Sequence, residues 1–209
     1  MSPFQSDGYA RKITMAGMLI CLTFIMIYTV LGTIPLGVVE ATIGHLPTIV
    51  GAIAGGPVMG LITGLAMGIM AMVRAITQPS QLLSPFLANP VVAILPRILI
   101  GITAYYSYAG LRRLSQNHKQ GEALSIAVGA AIGSLTNTVG VLGLLYLIYA
   151  QDIFAAMGQS GTVWQVVGIA FLGIAGTNGL VEMAIITILT TAIVLAMQKA
   201  RLVSPYKAD

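Results

Sequence analysis

Charge is what this chain most lacks. Its 209 residues include ten lysines and arginines, six aspartates and glutamates, and two histidines. Charged side chains make up 8%, about a third of the share a soluble domain carries. The apolar fraction is 57% and mean hydropathy +0.92, which suits hydrocarbon rather than water. Cysteine is almost missing: Cys21 stands alone, so no intrachain disulfide forms and redox compartment is not legible. Aromatics are 7%, leaving few stacking partners for a flat-ring ligand. There is no G-x-x-x-x-G-K-[ST] loop, which excludes ATP hydrolysis by that route. There is no H-E-x-x-H or G-x-S-x-G motif either. An intramembrane enzyme would have to use Ser134 with Glu182 without a recognised motif around either, so no enzyme activity is expected. His45 and His118 fall on opposite faces of the predicted topology, so no metal site is expected, and no cofactor.

What is present is a series of apolar runs. A spanning helix needs about 20 such residues. The sequence predicts an all-α, single membrane domain over 1–209 with six spans, at 13–31, 42–54, 58–76, 90–110, 123–149 and 179–197. The first follows Arg11 and Lys12 as a signal peptide would. It is about 19 residues long with no small-x-small cleavage site after it, so it reads as a retained span. Residues 150–161 read as a loop. The run 163–197 is too long for one straight span: as a helix it would measure about 52 Å against about 30 Å of hydrocarbon. Gly173, Gly176 and Gly179 predict a break, with Asn178 capping the last helix and 163–176 left as a re-entrant or surface segment.

Basic residues set orientation. Arg11 and Lys12 precede span one; Arg112, Arg113 and Lys119 lie between spans four and five; Lys199, Arg201 and Lys207 follow span six. Six spans put all three groups on one face, with both termini cytoplasmic. The opposite loops hold Glu40 and Asp152.

Two arginines remain. Arg74 lies near the outer end of span three, and Arg97 about 12 Å below the outer end of span four. A charge inside the bilayer costs at least about 2.5–3.5 kcal/mol on insertion scales, so Arg97 needs a partner. Glu182, the carboxylate inside a predicted span, lies at a similar depth. Either the two form an ion pair holding spans four and six together, or Arg97 lines an outward-facing pocket for a polar ligand. Pro96 removes a backbone donor and frees a carbonyl one turn earlier, which requires compensation; an ordinary kink explains it equally well. Asn137 and Thr138 in span five, with Thr177, Asn178 and Glu182 heading span six, suit hydroxyls, amides and carboxylates, or interhelical hydrogen bonds. His45 is a weaker candidate. Gly56, Gly60, Gly64 and Gly68, four apart, form a small-residue stripe for close packing within the subunit. Ala16, Gly17 and Cys21 offer a weaker one on span one, for a partner protein.

The segments E-A-T-I-G-H-L-P (40–47), G-G-P-V-M-G-L-I-T-G (55–64), L-P-R-I-L-I-G (95–101), L-T-N-T (135–138) and N-G-L-V-E (178–182) together give a resemblance. The chain resembles, over about residues 12–197, the substrate-binding S components of energy-coupling factor vitamin transporters, most of all the pantothenate-specific type. The resemblance implies six helices, with a vitamin held near the outer side among helices four to six. It implies a transmembrane coupling protein and two cytoplasmic ATPases as partners, in a prokaryotic plasma membrane, and no nucleic acid. Family members dock through alanines four apart in helix one; here Ala16 is followed at four by Ile20, and Gly17 with Cys21 is the nearest substitute. Arg97, with Arg74 at the mouth, favours an anionic vitamin. Asn137 and Asn178 would read its hydroxyls and amide. A corrinoid-specific S component, a self-sufficient secondary transporter and an intramembrane enzyme are the rival readings.

Overall fold

A computed structural model describes residues 3–35, 40–79, 83–115, 121–158 and 160–204; Lys119 and Lys207 of the orientation argument lie outside them. The chain runs α1 (Pro3–Tyr28), a 3-10 turn (Val30–Gly32), strands β1 (Thr33–Pro35) and β2 (Glu40–Thr42), then α2 (Leu46–Gly55) and α3 (Pro57–Thr77). It continues with the short α4 (Ser84–Leu87), α5 (Pro90–Leu114), α6 (Gly121–Met157), α7 (Val163–Ile174), a π turn (Ala175–Gly179) and α8 (Leu180–Lys199). The fold is all-α apart from the small antiparallel ribbon, in which Thr33 faces Thr42. Five continuous helical stretches are long and apolar enough to cross a membrane, and α2 is a shorter apolar helix.

The outer surface is apolar: Met18, Phe24, Ile69, Val139, Leu172 and Ile188 are exposed, as expected of a surface wetted by lipid. Inside, two buried hydroxyls are satisfied on the preceding turn: Thr23 donates to the Leu19 carbonyl at 2.8 Å, and Thr63 to that of Met59 at 2.8 Å.

The glycine stripe decides where α5 sits. α5 lies against α3 on one side and α6 on the other, its most extensive neighbours. A Cβ on Gly60 would lie 2.8 Å from Gly101 Cα, and one on Gly68 would lie 2.8 Å from Ile94 Cα. A Cβ on Gly64 would strike the Arg97 carbonyl oxygen. The absent side chains let the two backbones touch, and α5 is buried along this seam. Gly56 marks the start of α3: its φ of 91° suits glycine, and Pro57 follows at the first helical position.

Two expectations need correction. Residues 150–161 are not all loop: α6 bends at Tyr149 and stays helical to Met157, ending at Gly158 with φ 61°. The glycine run after 173 does not break the last segment. Helix continues from Val163 to Lys199 through the π turn, and Asn178 is a buried member of that turn rather than a cap. In an apolar setting a break would strand backbone donors and acceptors; widening one turn keeps them inside the helix. The extra length of α6 and α7 packs together, with Leu145, Ile153, Val167 and Phe171 forming a second core against Val92 of α5.

Candidate functional site

Arg11, Arg112 and Arg201 lie at one end of the bundle. Glu122, at the start of α6, pairs with Arg112 Nε at 2.5 Å and accepts hydrogen bonds from Tyr108 Oη and Gln198 Nε2, each at 2.7 Å. The ends of α5, α6 and α8 are thereby tied. Beside them, Arg11 donates to the carbonyls of Arg201, at 3.1 Å, and Leu202.

The opposite end holds a cavity of about 160 Å³. Its apolar wall includes Met26, Met67 and Leu87, and its polar lining is Thr42, Arg74, Gln78, Ser84 and Arg97. Arg97, about two turns into α5, is 8% exposed. One Nη donates to the Val92 carbonyl at 2.9 Å, and Nε is buried with no hydrogen-bond partner among the described residues. The Arg74 side chain lies in the same cavity, with no hydrogen-bond or ion-pair partner among the described residues.

Arg97 and Glu182 do not form the ion pair that one reading of the sequence allowed: no N···O distance between them is within 4.0 Å. Glu182 instead accepts from the Thr42 backbone N–H at 2.6 Å and from its hydroxyl at 3.2 Å. It thus holds the end of β2 against α8, and with it one cavity-lining residue. The remaining candidates form a neighbouring buried group. His45 Nε2 lies 3.1 Å from Ser134 Oγ, while His45 Nδ1 and Asn137 Oδ1 are buried without hydrogen-bond partners among the described residues. Thr138 hydrogen-bonds the Ser134 carbonyl at 3.5 Å and packs on Gly179, next to the buried Asn178. None of these four lines the cavity that holds Arg97.

Sequence reasoning missed Thr42, Gln78 and Ser84. Gln78 and Ser84 sit between predicted spans three and four, in the polar stretch T-Q-P-S-Q-L-L-S-P (77–85), from which no site residue was drawn; its closeness to Arg74 was the available signal. On α1, Gly17 and Cys21 are exposed, and a Cβ on Gly17 would meet nothing within 4 Å. Ala16 is half-buried against the core. Among the described residues no group of three or more His, Cys, Asp or Glu side chains could hold a metal ion.

A multi-pass helical membrane protein with an arginine-lined cavity at one end has the form of a protein that binds small polar solutes. The chain belongs to the ECF transporter, substrate-specific component family, which matches residues 11–194. It is also similar to the pantothenic acid transporter PanT of Lactococcus lactis subsp. cremoris (strain MG1363), with 35% identity over 179 residues, covering 78% of this chain and 80% of that one.

Proposed function

We propose that this chain is the pantothenate-binding subunit of an ATP-driven vitamin importer, with the carboxylate of the vitamin bound by Arg97. The observation that carries the reading is the buried Arg97 Nε, without a partner, in a cavity that Arg74 also lines. An unsatisfied buried donor costs about 1–3 kcal/mol, more when charged, and a carboxylate offers the bidentate geometry that relieves it. Pantothenate also carries an amide and hydroxyls, which match Thr42, Gln78 and Ser84. The similarity to a pantothenic acid transporter supports the same vitamin.

The rest of the reading is likewise an inference, supported by family membership. The subunit performs no chemistry of its own and works with a transmembrane coupling protein and two cytoplasmic ATPases in a prokaryotic plasma membrane. It spans as one unit with both termini cytoplasmic, so the Glu122 end faces the ATPases and the cavity faces outward. The exposed Gly17 and Cys21, beside Ala16, are the docking face for the coupling protein. Equilibrium binding of labelled pantothenate to the purified chain tests the reading. Unlabelled pantothenate should displace the label, and pantothenyl alcohol, which lacks the charge, should do so at least about tenfold less well. Displacement by a corrinoid with no pantothenate binding would overturn it, as would gradient-driven uptake into liposomes holding this chain alone.

A further inference from the structure

Pro96 lies inside α5, where its ring removes the N–H that would meet the carbonyl four residues earlier. That carbonyl belongs to Val92, which is 0% exposed, so solvent does not satisfy it. The donor that reaches it is the Nη of Arg97, at 2.9 Å, from the residue directly after the proline. The guanidinium is planar, so anchoring one Nη limits the plane in which the unpartnered Nε lies.

We propose that Pro96 is a positioning residue for ligand binding: by freeing the Val92 carbonyl it creates the anchor that holds Arg97 in the cavity. This rests on the binding role given to Arg97 above. Replacing Pro96 by alanine restores the backbone donor and removes the ring that pushes the carbonyl aside, so the anchor is lost to the helix. Toward α6 the Pro96 atom nearest to where a Cβ on Gly140 would stand is Cβ, which alanine retains, so the change removes only the outer ring carbons from that contact.

Two measurements on the full chain in detergent decide it. In the first, with no ligand, arginine is labelled with nitrogen-15, and the Arg97 Nη–H signal is assigned as the one missing from Arg97→Lys. Its proton exchange should be slow in the native chain and at least about tenfold faster in Pro96→Ala; unchanged exchange overturns the proposal. In the second, Pro96→Ala should weaken pantothenate binding about tenfold and pantothenyl alcohol binding less than about twofold, with no further loss in an Arg97→Lys background. An equal loss in that background would make Pro96 a packing residue only, and overturns the proposal. If the native chain binds no pantothenate, the proposed function falls, and the exchange measurement still decides whether Pro96 holds Arg97.

Discussion

The two ends of the bundle use arginine in opposite ways. At one end Arg112 finds Glu122, whose carboxylate also takes Tyr108 and Gln198. At the other, Arg97 has one backbone carbonyl and a bare Nε, and Arg74 shares its cavity. The carboxylate nearest in depth, Glu182, is spent on Thr42. The first arrangement closes the structure; in the second no carboxylate among the described residues pairs with either arginine, which is why the proposed ligand is an anion. A guanidinium is therefore read by what its own protein supplies to it, not by its burial alone.

Changes at the two ends should separate binding from stability. The largest effect is expected for Arg97→Ala, which should weaken pantothenate binding at least about 100-fold; thermal stability should change little, because the stranded Val92 carbonyl is offset by removal of a buried charge with an unsatisfied Nε, as calorimetry and a melting curve would read. Glu122→Ala should do the reverse, costing about 1–3 kcal/mol of stability by removing the acceptor that Arg112, Tyr108 and Gln198 share, while affinity measured below the melting point stays within about twofold. An affinity loss there comparable to that of Arg97→Ala would merge the two ends into one site. Glu182→Ala frees the end of β2 and should weaken binding about tenfold, seen mainly as faster release. Arg74→Ala should have the smallest effect, slowing association about threefold at low salt and hardly at all at high salt, which stopped-flow kinetics would resolve.

Much of this was legible from residue order. The apolar runs gave the helices, because a backbone in hydrocarbon has few alternatives. The four-residue glycine spacing indicated the seam that seats α5. Arg97 stood out because a charge in an apolar run is costly. The partner of Glu182 was hidden: it is a backbone N–H on β2, 140 residues away, and backbone donors carry no sequence signature. Gln78 and Ser84 were passed over because polar residues in a connection are ordinary. The course of 163–199 was misread because glycine weakens helices in water, whereas here intrachain hydrogen bonding outweighs that preference. Asn137 and His45, both candidates for the ligand site, are buried and belong to a group beside the cavity rather than to its lining.

The most direct test is an experimental structure with pantothenate bound. The account predicts the vitamin's carboxylate about 3 Å from the Arg97 guanidinium, with one Nη still on the Val92 carbonyl. A carboxylate seated elsewhere, with Arg97 satisfied by its own protein, would contradict it.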